Sequence, residues 1–184
     1  MTRCPRCYLP AQRCICSDIP RVATRTRVVV IRHALERHKP SNTGRLVAYA
    51  LENSELVDYG GTAAGTWRFA ARSGDAVLFP ARPPQSEPPA PPPRRLIVVD
   101  GTWQQARRMV QRIDALRRLP ALSLPPPAVD PPRLRRPPAP GRLATLEAVA
   151  RALAWLEGDD VAAPLDALYA LFVARSRAAG RHRG

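Results

Sequence analysis

Two groups of residues in this chain have the types and spacing for chemistry. The first is Cys4-Pro-Arg-Cys7, followed after six residues by Cys14-Ile-Cys16, which together hold all four cysteines of the 184 residues. Two close thiolate pairs on short turns can close a tetrahedron around Zn2+ with Zn–S bonds of about 2.3 Å. The first pair has the usual two-residue spacing, and the second has a single intervening residue. Disulfides need an oxidising compartment, and redox catalysis at a CxxC needs no second pair. No fifth group suggests an open coordination position. The spacing predicts a structural zinc knuckle over residues 1–22, with Cys4, Cys7, Cys14 and Cys16 as ligands and a main domain over residues 23–184.

The second group centres on Asp100, which follows the apolar run Leu96-Ile97-Val98-Val99 and precedes Gly101-Thr102-Trp103. In open α/β sheets ligands collect at the carboxyl ends of strands, beside the loop and helix that follow. The same Asp also suits a cap of the next helix. From spacing alone, site and cap stand equal. Thr102-x-x-Gln105 has the spacing of a capping box at that helix start.

The elements that must position these residues alternate. Val28–Ile31, Leu56–Tyr59, Ala76–Phe79, Leu96–Val99 and Leu122–Leu124 read as strands. Between and after them, Ser41–Asn53, a helix from Trp103 through Leu116, Thr145–Glu157 and Asp160–Ala178 read as helices. Gly158 stands as a stop, and Pro164 falls in the first turn of the last helix. Of the 22 prolines, eight lie within Pro80–Pro93 and eight within Pro125–Pro140, which makes both stretches long loops. Strand–helix alternation predicts an α/β fold on a mainly parallel sheet.

Charge narrows the partners. Twenty-eight Arg and one Lys stand against 15 acids, a formal charge of +14. Compositional bias explains Arg over Lys but not the twofold excess of cations. Such an excess suits a phosphate backbone, whose counterions are released on binding. No apolar run approaches the roughly 18 residues of a membrane span. The first residues lack the apolar core of a signal peptide, so a cytoplasmic protein without an obligate protein partner is expected.

Val98-Val99-Asp100-Gly101-Thr102-Trp103-Gln104-Gln105 resembles the signature of the DTW-domain family, whose motif is Asp-x-Thr-Trp. Arg32-His33 through Glu36, Ser41 to Leu46, Ala76 to Pro80 and Leu143 to Ala148 resemble further family blocks in the same order. Many members also share the N-terminal cysteines. Two departures are Ala144, where the family has Ser, and Ala34-Leu35, where a Pro usually follows the His.

The resemblance implies an S-adenosylmethionine-dependent tRNA-uridine aminocarboxypropyltransferase. Such an enzyme moves the 3-amino-3-carboxypropyl group to uridine N3 and releases 5′-methylthioadenosine. Through related rRNA enzymes it implies a SPOUT-like, trefoil-knotted sheet with helices on both faces. Carried over by motif, Asp100 is the candidate base and sulfonium stabiliser, with Thr102 and Trp103 beside it. Trp103 either packs the helix or stacks on a base. Thr43, Leu122, Leu143 and Thr145 become expected cofactor contacts. Glu147 is either a first-turn acid or a contact to the cofactor's amino group. Arg45, Arg107, Arg108 and Arg142 adjoin the motifs and suit tRNA phosphates. Two other classes remain in view: a SPOUT-type RNA methyltransferase and a non-catalytic zinc-bearing RNA-binding module. A base-only role for Asp100 predicts that Asp100→Ala leaves the fold nearly intact.

Overall fold

In a computed structural model the described residues are 2–61, 69–80, 85–125 and 143–179. Five strands form one sheet: β1 Arg27–His33, β2 Ser54–Tyr59, β3 Asp75–Leu78, β4 Arg95–Asp100 and β5 Ala121–Leu122. Their order is β2-β1-β4-β3-β5, and every pairing is parallel. Central strands of such a sheet are covered on both faces, which is why β1 and β4 are nearly continuous Val, Ile and Leu.

Residue parity assigns each face. Val28, Val30, Leu96 and Val98 pack with α1 (Gly44–Ala50), α4 (Thr145–Glu157) and α5 (Asp159–Ala178). Val29, Ile31 and Ile97 pack with Met109, Ile113 and Leu116 of α2 (Trp103–Arg112) and α3 (Asp114–Arg117) and the residue between them. The expected α/β sheet with helices on both faces is therefore present. Among the described residues, no helix is long and apolar enough to cross a membrane.

Three elements differ from expectation. The helix expected from Ser41 starts only at Gly44, because Asn42 and Thr43 spend their side chains on tertiary hydrogen bonds. The helix through Leu116 breaks at Ile113, whose ψ of 99° is extended, and gives two pieces, α2 and α3. Pro164 is the sixth residue of α5, past the first turn, where it supplies no donor to the exposed Asp160. The Thr145–Glu157 helix has the expected bounds, ending at Gly158 with φ +113°.

Candidate functional site at the carboxyl edge of the sheet

The strand order sets the place. From β1 the chain moves outward to β2, and from β4 it moves the opposite way, past β3, to β5. The connections that leave the carboxyl ends of β1 and β4 therefore run to opposite sides, which makes this the switch-point crevice where open parallel sheets bind ligands. Arg32 and Asp100 are register partners at that point.

Asp100 is 3% exposed and ties three segments together. Its Oδ2 accepts from Asn42 Nδ2 at 2.5 Å, in the loop after β1. Its Oδ1 accepts from Thr145 Oγ1 at 2.5 Å, at the start of α4. A Cβ at Gly44 would overlap the Asp100 carboxylate, so this position requires glycine. Thr43 Oγ1 accepts the Leu146 N–H at 3.2 Å, and Glu147 Oε2 accepts the Ala144 N–H at 3.0 Å. Burial pushes the Asp100 carboxyl above the ordinary carboxylate range, against the Asn42 and Thr145 hydrogen bonds and the charge of Arg32. Arg32 is itself held by Asp58 at 2.7 Å.

This geometry corrects the stability expectation for Asp100→Ala. Truncation would leave the buried Asn42 amide and the half-buried Thr145 hydroxyl without their acceptor, a loss of about 1–3 kcal/mol that falls mainly on the buried amide. Asp100 is not the helix cap. Thr102 is, with the Gln105 N–H to Thr102 Oγ1 at 3.3 Å and the Thr102 N–H to Gln105 Oε1 at 2.6 Å, which completes the capping box.

The other expected site residues divide. Thr43, Thr145 and Glu147 join the Asp100 cluster, and Leu143 stands half-buried just ahead of α4. Leu122 is buried on β5 as the register partner of Leu78. Trp103 stacks on Phe79 with ring centroids 5.3 Å apart and an interplanar angle of 8°. Arg107 and Arg108 are exposed on α2. Arg45 is only 2% exposed. Its Nη2 donates to the Lys39 and Arg37 carbonyls at 2.6 and 3.2 Å, so the structure gives it an interior role instead of a phosphate contact. Arg142 lies outside the described residues. Asn42 and Phe79 were not assigned from sequence, although Asn42 directly precedes Thr43-Gly44 in a block that was singled out.

The cysteines meet as their spacing predicts. All four Sγ atoms lie within 4.8 Å of one another, with Cys4–Cys16 at 3.5 Å and Cys7–Cys14 at 3.8 Å, and none is in a disulfide. A tetrahedron with Zn–S bonds of about 2.3 Å has edges of about 3.8 Å, so the four thiols can hold a metal ion. Burial opposes the Cys4 thiolate, but the Cys7 and Arg6 backbone donors and the neighbouring thiols outweigh it and lower its pKa to about 6. Cys7, Leu9 and Ile15 belong to the same apolar core as α1 and α4. Arg45 lies 3.9 Å from the Tyr8 ring centre, and Arg6 lies 4.7 Å from that of Tyr49, so two reciprocal cation–π contacts clamp the knuckle to α1.

Parallel topology, a switch point between β1 and β4 and an Asp-Gly-Thr-Trp turn beside it define an α/β protein with the arrangement in which open sheets hold ligands. The family model of the DTW domain matches residues 1–177, and the chain belongs to that family. It is similar to a Drosophila melanogaster protein named tRNA-uridine aminocarboxypropyltransferase 2, with 28% identity over 167 residues, 84% of this chain. The chain spans 66% of that relative's length. No solved structure matches.

Proposed function

We propose that this chain is a tRNA-uridine aminocarboxypropyltransferase. It transfers the 3-amino-3-carboxypropyl group of S-adenosylmethionine to uridine N3 in tRNA. The observation that carries this reading is the convergence on Asp100 of Asn42 and Thr145, each from a separate DTW-type block.

The donor set suits a cationic co-substrate. Asp100 and Glu147 are buried carboxylates, one bonded by Thr145 and the other by Ala144 at the start of α4. Thr43, Leu122, Leu143 and Thr145 would contact the bound co-substrate, which supplies a sulfonium leaving group. In the transfer the C–S bond breaks, its electron pair stays on sulfur, and N3 forms the new N–C bond and loses its proton. Uracil N3 is protonated at neutral pH, so a base is required. Asp100 does not reach solvent, but Thr145 is half-buried and already donates to it. The Thr145 hydroxyl takes the N3 proton as it passes its own to Asp100 Oδ1. Thr102 and Gln105 hold the turn that carries Asp100, and Trp103 anchors it against Phe79.

Cys4, Cys7, Cys14 and Cys16 hold one structural Zn2+ in this account. The all-parallel sheet with helices on both faces supports a SPOUT-like fold, and the trefoil knot is what the family resemblance implies. Exposed Arg107 and Arg108 and the net charge of +14 support tRNA as partner in the cytoplasm. Mass spectrometry of nucleosides from tRNA incubated with the protein and S-adenosylmethionine tests the reading. It predicts uridine heavier by one aminocarboxypropyl group. A methylated nucleoside would assign the chain to the RNA methyltransferases, and unmodified tRNA would leave only an RNA-binding role.

A further inference from the structure

Asp100 and its partners occupy the α1–α4 side of the crevice. On the other side, between the ends of β1 and β2 and the α2 helix, lies a separate cavity of about 100 Å³. It is lined by His33, Tyr59, Gln105, Arg108, Met109 and Arg112. We propose that this cavity receives one nucleobase of the RNA, next to the reacting uridine, with the phosphate of that nucleotide on Arg108 and Arg112. The inference rests on tRNA being the substrate.

Size excludes the co-substrate. Sites for drug-sized ligands measure about 300–1,000 Å³, and this one suits a single planar ring. The wall supplies donors. Gln105 Oε1 is spent on the Thr102 N–H, which leaves its amide N–H groups for a ligand. His33 Nδ1 accepts the Leu35 N–H at 3.3 Å, so the opposite ring nitrogen carries the proton. Met109 and Tyr59 add apolar and aromatic surface to the lining, the kind of surface that favours a base. A base edge and a phosphate offer the acceptors that match.

The charge pattern points the same way. Gln105, Arg108, Met109 and Arg112 recur at helical spacing on one stripe of α2, which places two like charges four residues apart. Among the described residues no carboxylate pairs with either arginine, although Asp114 in the next helix pairs with Arg117 at 3.1 Å. Position completes the argument. A Cβ on Gly101 would stand 3.0 Å from Gln105 Cβ and 3.5 Å from His33 Cβ, so the cavity adjoins the turn that begins at Asp100. A nucleotide held here brings its neighbour to the crevice.

Binding of fluorescently labelled tRNA to the whole protein, measured across a salt series, tests this with three variants. Arg112→Ala is expected to weaken binding about fivefold or more and to lower the slope of log affinity against log salt by about one. His33→Ala, which removes a ring and an N–H donor but no arginine, should weaken binding and change the slope less than Arg112→Ala does. Arg175→Ala, an exposed arginine on α5 outside either site, should change neither. S-adenosylmethionine affinity by calorimetry should stay at the wild-type value in all three, which verifies the fold and the opposite side of the crevice. Wild-type tRNA affinity in both Arg112→Ala and His33→Ala would overturn the nucleotide cavity while leaving the transferase reading intact. Weakened binding in these variants, with no uridine modified by the wild-type protein, would keep the cavity and remove the transferase reading.

Discussion

Asp100 is more constrained than a free catalytic carboxylate. Both oxygens are engaged, and Gly44 packs directly against it. In the proposed reaction its removal would act on fold and rate together, and the conservative variants separate the two. Asp100→Asn retains one acceptor, and the Thr145 hydroxyl can turn to accept from the new amide. That variant should keep nearly wild-type S-adenosylmethionine binding while its single-turnover transfer falls about 10²-fold or more, the usual effect of losing a positioned base. Thr145→Val preserves shape and should fall by a comparable factor if the hydroxyl relays the proton. Near-normal turnover in both variants would leave Asp100 as a structural tie alone. Asp100→Ala should in addition lower unfolding stability by about 1–3 kcal/mol, measured by denaturant titration.

The helices show how much local sequence decides and where it stops. At α2 the Thr102–Gln105 box was legible from spacing, because a cap is a contact between residues three apart. At α4 only half of such a box exists. Glu147 accepts the Ala144 N–H, but Ala144 has no side-chain oxygen to return the bond. Ala144→Ser should complete it and raise stability by about 1 kcal/mol, visible as a higher thermal midpoint; an unchanged or lower midpoint would contradict the capping geometry. The strands were likewise legible, β1 and β4 as β-branched runs and the other three as short apolar segments. The Asn42 and Thr145 partners of Asp100 were not. They lie 58 and 45 residues away in sequence, and no periodicity links them to it. Arg45 misled for a related reason. Beside a motif and on a polar-starting helix it looks like a surface cation, but Tyr8 and two backbone carbonyls close over it.

Across the whole molecule, the cysteine knuckle and the crevice belong to one folded body, joined through the α1 segment. Cys7, Leu9 and Ile15 are fully buried in the core shared with α1 and α4, and Arg45, which grips Tyr8, is the residue after Gly44. Removing the metal should thus act on stability. Freshly purified, reduced protein should carry one Zn2+ per chain, and chelation should lower its thermal midpoint. Cys14→Ser should reduce stability more than it reduces the single-turnover rate at permissive temperature. Absence of stoichiometric zinc by metal analysis would contradict the knuckle's assigned role.

The identity of the by-product tests the central claim most directly, because it reports which carbon next to the sulfonium was attacked. With tRNA and S-adenosylmethionine present, chromatography should show 5′-methylthioadenosine accumulating one-for-one with modified uridine, and none formed when tRNA is omitted. S-adenosylhomocysteine in its place would show that the methyl group had moved, and would contradict aminocarboxypropyl transfer at this site.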